Sequence, residues 1–412
     1  MLRRVFKVLV GDPQLFLAVS IMTAFGIAMV YSAGVLNIPS VVTEGAWLRQ
    51  LQWWALALVA FGAVRQVRPR WFEWIAIPAY TVSVVLLVIT LFVGTGSGTA
   101  AGVKSFLDLG FIQFQPAELA KLATILALAR YLASRQEDPT TLRALVTPAA
   151  IVGLPLGLVI LQPDLGTVLA FVGILFAALF WAGAPIGFLI LLLSPGISLV
   201  LSYNAMIWAG FFLVLIGSLY LFRYRLFPVE SLSVILANLA VGTVSAPLWN
   251  SLAEYQQNRI LVFLDPSVDP RGAGYHLIQS MVAIGSGGLS GKGFTEGTQK
   301  AFDFLPEQHT DFIFSVIGEE LGFLGTGFAL ALFAFILYRL VRMAEAAADP
   351  FAGLVIFGIF GAWLVHIFVN VGMTVGMVPV TGIPLPFVSY GGTFLLMCWV
   401  AVAMATRVTQ ED

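Results

Sequence analysis

Three observations predict an all-α polytopic membrane protein, a helical bundle of about ten core spans plus two extra with a large outer loop before its last three spans. The first is composition: 59% of the 412 residues are hydrophobic, only 10% are charged and the mean hydropathy is +0.94, against about 25% charged in a soluble domain. The second is a series of apolar runs close to the ~20 residues that cross a hydrocarbon core of about 30 Å. The third is a bias in where Lys and Arg fall between those runs.

The runs lie at 14–36, 47–64, 72–94, 116–133, 144–161, 165–182, 186–203, 206–222, 231–250, 312–338, 351–377 and 384–406. The fifth and sixth meet at Gln162-Pro163-Asp164-Leu165-Gly166-Thr167, which reads either as a break in one helix or as the join between two. With the N-terminus inside, fourteen of the 21 basic residues fall in inner segments, among them Arg3, Arg4, Arg65, Arg130, Arg223, Arg339 and Arg407. That bias predicts cytoplasmic termini. It makes 1–412 one membrane domain with an extracytoplasmic loop at 251–311. Residues 183–250 form an expanded helical region with no constellation that carries chemistry. The single cysteine, Cys398, excludes an internal disulfide, and a net charge of −1 offers nucleic acid no attraction.

Chemistry is expected where polar groups gather, and they gather between Tyr255 and Glu320. Asp311 precedes the apolar run at Phe312 and is either an N-cap or a reactive carboxylate at the membrane lip. Glu319 and Glu320 follow within the span and must face protein or water. Arg259 is either an interfacial anchor or a clamp for an anionic headgroup. The glycine-rich stretch from Gly285 to Gly293, which carries Lys292, lacks the GxxxxGK[ST] spacing of a nucleotide loop. Its amides can still approach a pyrophosphate. His309 and Asp311, two apart, make a weak metal pair. Earlier in the chain, Glu118 and Lys121 in Gln115-Pro116-Ala117-Glu118-Leu119-Ala120-Lys121 share a helical face, either as an ion pair that eases burial or as one wall of a substrate cavity. Asp164 is either a helix cap or a ligand in that cavity.

These blocks, together with Pro384 to Thr393 (PLPFVSYGGT), closely resemble the SEDS family, the shape, elongation, division and sporulation proteins, and most of all its elongation-type RodA members. The matching blocks occur in family order and cover most of the chain outside 183–250. Two positions depart from the family pattern: Phe106 stands where Trp is frequent and Ala117 where Ser is frequent. Phe106 keeps a stacking face but has no indole donor. The resemblance implies a peptidoglycan glycosyltransferase that polymerises lipid II, the undecaprenyl-pyrophosphate-linked disaccharide-pentapeptide, at the outer face of the bacterial cytoplasmic membrane during cell elongation. It implies a class B penicillin-binding protein and other elongation-complex membrane proteins as partners, with docking near 351–377. It makes Asp311 the catalytic residue, and Glu118 and Lys121 the polar groups beside the cavity. Arg259, Lys292, His309, Thr310 and Ser389 are assigned to substrate contact, and Asp164, Glu319 and Glu320 to polar cavity structure.

Joining an acceptor hydroxyl to an anomeric carbon with inversion needs a base for the hydroxyl and positive charge for the departing pyrophosphate. Asp311 answers the first need. Lys121, Arg259 or a divalent ion, Mg2+ or Mn2+ with Asp311 as a ligand, answers the second. A lipid II flippase and a silent scaffold for the penicillin-binding protein are the alternatives.

Overall fold

The computed structural model describes residues 10–36, 43–96, 104–108, 110, 112–135, 137–202, 204–221, 228–251, 257, 261–263, 265, 269, 273–302, 304–305 and 307–410. The chain is an all-α bundle. Its helices are α1 Pro13–Ala33, α2 Ala46–Arg65, α3 Pro69–Val93, α4 Pro116–Ala133, α5 Leu142–Leu161, α6 Leu165–Trp181, α7 Ile186–Leu201, α8 Ala205–Leu221, α9 Pro228–Ser251, α10 Ala273–Gly287, α11 Thr298–Ala301, α12 Ile313–Glu345, α13 Pro350–Thr374 and α14 Gly392–Val408. A two-stranded hairpin, β1 Leu107–Asp108 and β2 Gln113–Phe114, precedes α4. Each of the twelve apolar runs overlaps a helix. Among the described residues five of these helices, α1, α3, α5, α12 and α13, are long and apolar enough to cross a bilayer.

Local chemistry sets the boundaries. Asp12, Thr141, Asp164 and Asp349 cap α1, α5, α6 and α13 by accepting from backbone amides of the first turn. Pro13, Pro116 and Pro350 occupy first-turn positions where no amide is missed. The stretch at Gln162 is therefore a join between two helices, with the Asp164 carboxylate holding Thr167 at 3.0 Å. The last helix begins at Gly392, not at 384. Pro384 and Pro386 cannot donate to a helix, and Phe387 lies at φ 65°, so 381–391 is an irregular strap across the bundle's end. Helix α12 changes direction at Gly322, where φ is 62° and ψ −156°.

The centre of the bundle is α13, buried over 78% of its apolar window, whereas α3 is buried over 22%. Sides of α3 left open by protein belong to lipid. Small residues let α13 approach its neighbours closely: a Cβ on Gly173 of α6 would lie 2.9 Å from the carbonyl oxygen of Gly361, and one on Gly361 2.6 Å from that of Gly173. The expanded region α7–α9 stands beside this core with its own apolar cluster of Leu191, Leu215, Leu219 and Val234. Glu230 on α9 accepts from Leu142 N at 3.0 Å and ties that region to α5.

Candidate active site

Asp311 closes a turn whose amides, from Thr310 to Phe312, all point to the carbonyl of Glu307. Helix α12 follows, and its N-cap position is Phe312, with no side-chain cap bond. The Asp311 carboxylate is thus not the cap that its place before an apolar run suggests. It lies half-buried against the strap, where a Cβ on Gly382 would stand 3.2 Å from its Oδ2. Gly382 has φ 73°, so both the backbone conformation and the space favour glycine there.

Strap and turn are bolted together. Ser389 Oγ donates to Thr310 O at 2.6 Å and accepts from Leu385 N at 2.8 Å. Tyr390 N donates to His309 O at 2.9 Å, and the His309 and Tyr390 rings lie 5.6 Å apart. From α13, Asn370 Nδ2 donates to Asp311 O at 2.9 Å and to Ile383 O at 2.7 Å, so one amide grips both segments. Gln50 on α2 donates to Ser389 O and accepts from Gly391 N, each at 3.2 Å. Arg49 Nε reaches the Tyr390 hydroxyl at 3.1 Å. The strap thereby brings His309, Thr310, Asp311 and Ser389 into one assembly, and Arg49 places a cation at its edge.

A second assembly lies within the bundle. Lys121 Nζ is 2.9 Å from Glu118 Oε1, and both side chains are buried. The same ammonium is 2.8 Å from Nε2 of His366 on α13, and it stands 5.5 Å from the centre of the Phe394 ring. These groups line a cavity of about 20 Å³, room for about one water. Asp164 joins from the side, accepting from Gln115 Nε2 at 3.1 Å, so the two glutamine-proline motifs of the sequence meet in space.

Lys292, Glu319 and Glu320 belong to a third assembly, on the glycine loop. Glu319 Oε1 accepts from Lys292 Nζ at 2.7 Å, Thr298 N at 2.8 Å, Thr298 Oγ1 at 3.0 Å and Gln299 N at 3.0 Å. Glu320 pairs with Lys300 and accepts from Ser32 Oγ at 2.5 Å. Lys300 Nζ also donates to Ser32 O at 2.6 Å, and Gln308 Nε2 to Ala33 O at 3.1 Å, so both tie the loop to carbonyls of the last turn of α1. Burial lowers the Lys300 pKa below the usual lysine range, and the hydrogen bond and charge of Glu320 oppose that shift. The glycines serve backbone contact: Lys292 N and Gly293 N donate to Glu319 O and Glu320 O at 3.0 Å. Phe323 N and Leu324 N bond back to Gly288 O and Leu289 O across the bend at Gly322. Arg259 lies outside the described residues.

His366 and Asn370 carry much of this geometry, and no motif flagged them. Their polarity inside the run 351–377 is the signal, because an ionisable group in a span is a functional candidate by default.

Residues 13–225 and 209–412 match the FtsW/RodA/SpoVE family of cell cycle proteins. The chain is 36% identical over 370 residues to the peptidoglycan glycosyltransferase MrdB of Escherichia coli (strain K12), covering 90% of this chain and 87% of that protein. It is 33% identical over 429 residues to the peptidoglycan glycosyltransferase RodA of Treponema pallidum (strain Nichols), covering 97% and 98%. Among solved structures, a chain of a peptidoglycan synthase complex that coordinates polymerization and crosslinking superposes with a TM-score of 0.71 at 31% identity, covering 97% of each. The rod shape determining protein RodA of Thermus thermophilus gives 0.63 at 26% identity, covering 97% of this chain and 98% of that one. Helix order, matched length and identity agree, and the chain belongs to the SEDS family of FtsW, RodA and SpoVE proteins, on its RodA-type side.

Proposed function

We propose that this chain is a peptidoglycan glycosyltransferase of cell elongation that polymerises lipid II, with Asp311 as the general base. The observation that carries the reading is the placement of Asp311. Its carboxylate does not cap α12, it is half-buried at the end of the bundle, and the turn around it is fixed by Asn370 and by Ser389 through Thr310. An ionised carboxylate held this way can take the proton of an acceptor 4-hydroxyl as that oxygen attacks the anomeric carbon of the donor. The carrier pyrophosphate departs on the opposite side, so an α-linked carrier yields a β-linked strand. A base positioned for such a transfer contributes about 10²–10⁴-fold in rate.

The departing pyrophosphate needs positive charge. Arg259 remains the candidate from the loop, Arg49 stands on Tyr390 at the strap's edge, and Lys121 on the cavity wall is kept for binding the anionic headgroup before the transfer. Mg2+ is commonly held by one or two carboxylates plus substrate phosphates and water. Among the described residues no three His, Cys, Asp or Glu side chains converge as a resident site. Asp311 would hold such an ion, which would supply positive charge to the leaving group. The charge bias of the inner segments supports cytoplasmic termini and an active face outside. A class B penicillin-binding protein is the expected partner; α13 is the buried centre of the bundle, and of the proposed docking region 351–377 it is Leu364, Phe368, Val375 and Met377 that stand exposed for such a contact.

The flippase reading gains little from the cavity beside Lys121, since about 20 Å³ leaves no passage for a disaccharide through the bundle. The test is polymerisation of fluorescent lipid II by purified protein with its penicillin-binding protein partner, comparing wild type, Asp311→Asn and Asp311→Ala, with and without EDTA. Loss of polymer with partner binding retained supports the reading. Undiminished polymer from both variants removes Asp311 from the mechanism.

A further inference from the structure

His366 is 1% exposed, stacked on Phe394 of α14 with ring centres 5.2 Å apart, and engaged at both nitrogens. Nδ1 lies 3.0 Å from Pro384 O, and Nε2 lies 2.8 Å from Lys121 Nζ. A carbonyl oxygen only accepts, so Nδ1 carries the proton and donates it to Pro384. Nε2 then presents a lone pair, to which the Lys121 ammonium donates. The neutral ring therefore has one end on α4 and the other on the strap. A ring that merely filled space would need neither bond.

Each end leads to a different part of the proposed chemistry. Lys121 has Glu118 at 2.9 Å, and pulling it from both sides fixes where its charge stands along the cavity wall. On the other side, Pro384 follows Ile383, whose carbonyl shares Asn370 with that of Asp311, and precedes Ser389, which holds Thr310 O. Displacing the strap at Pro384 moves the backbone that carries Asp311. Catalytic geometry tolerates about half an ångström of such movement.

We propose that His366 is a positioning residue with two separable duties, its Nε2 end aiming Lys121 at the substrate's anionic headgroup and its Nδ1 end holding the strap that sets Asp311. The proposal rests on the reading of Asp311 as the base and Lys121 as a substrate contact. Side-chain amides can separate the two ends. The Asn amide reproduces the Nδ1 position and keeps the bond to Pro384, whereas the longer Gln amide reproduces Nε2 and keeps the bond to Lys121.

The experiment measures initial rates against lipid II concentration for the purified protein with its penicillin-binding protein partner. It compares wild type, His366→Asn, His366→Gln, His366→Leu and Asp311→Asn, with the thermal midpoint of each in the same detergent. His366→Asn is expected to raise KM about tenfold with kcat nearly unchanged, the usual scale for losing a bond to a charged group. His366→Gln is expected to lower kcat about tenfold at nearly constant KM, and His366→Leu to do both. Equal changes in the Asn and Gln variants, or losses in all three that track only the folded fraction, overturn the proposal and leave the Asp311 reading intact. Retained activity in Asp311→Asn overturns the underlying reading itself, and the strap duty with it.

Discussion

Two sets of carboxylates flank the start of α12, and the structure treats them in opposite ways. Glu319 and Glu320 are essentially buried, and each is met by a lysine and by hydroxyl or amide donors. Asp311, eight residues before Glu319, is half-buried at the end of the bundle, and its neighbours grip its backbone. A buried charge is retained when an opposite charge and donors within the protein stand against it, and each glutamate has a lysine and at least one further donor. The glutamates hold the loop on α1, and Asp311, whose turn is held from the strap and α13, is the acid proposed for chemistry, although all three stand near one helix start.

The largest test of this contrast is Asp311→Asn. The amide keeps the shape and the backbone bonds to Asn370 but removes the base. Polymerisation is expected to fall by about 10²–10⁴-fold, while the thermal midpoint stays close to wild type because the amide keeps the side chain's shape and the backbone bond that fixes the turn. A large fall in thermal stability alongside would place Asp311 with the glutamates and break the contrast.

Lys300→Met is the converse. It leaves Glu320 buried with Ser32 as its remaining described donor, and removing one partner of a buried pair costs about 3–5 kcal/mol. Detergent unfolding should show that loss, and the double variant Lys300→Met with Glu320→Leu should regain most of it. A single variant as stable as wild type would show that the pair does not hold the loop. Lys292→Met should cost less, about 1 kcal/mol or below, because Thr298 and Gln299 still answer Glu319 and Lys292 is partly exposed.

The sequence carried the first half of this contrast. Helices α1 to α9 were legible because a bilayer demands length and apolarity, two properties that survive in a linear reading. Asp311 stood out as a candidate because a carboxylate beside an apolar run is costly. The glutamates' partners were not, since Ser32 stands 288 residues from Glu320 and nothing local announces the pairing. Helix α10, within the segment read as a loop, is 15 residues long, too short to register as a span. The strap escaped because Pro384 to Tyr390 is as apolar as a span, and only its two prolines and the paired Gly391 and Gly392 argue against helix. His366 and Asn370 sat in plain view, but their partners Lys121 and Asp311 come from other helices.

The smallest expected effect sharpens the contrast from a third region. Asn238 in α9 is buried and donates to Ser194 Oγ on α7 at 2.8 Å, while Trp208 of α8 donates to Ser198 Oγ at 2.7 Å. This cluster is polar and inside the bundle, but it holds no ionisable group and its bonds only stitch α7–α9 to one another. Hydrogen bonds between helices in lipid average about 0.6 kcal/mol, because the separated helices find other partners. Asn238→Leu should therefore lower the thermal midpoint slightly and leave polymer length and rate as in wild type. If Asn238→Leu cut the rate as deeply as a His366 variant, the expanded helices would be coupled to Asp311, and burial with satisfied bonds would no longer separate scaffold from chemistry in this protein.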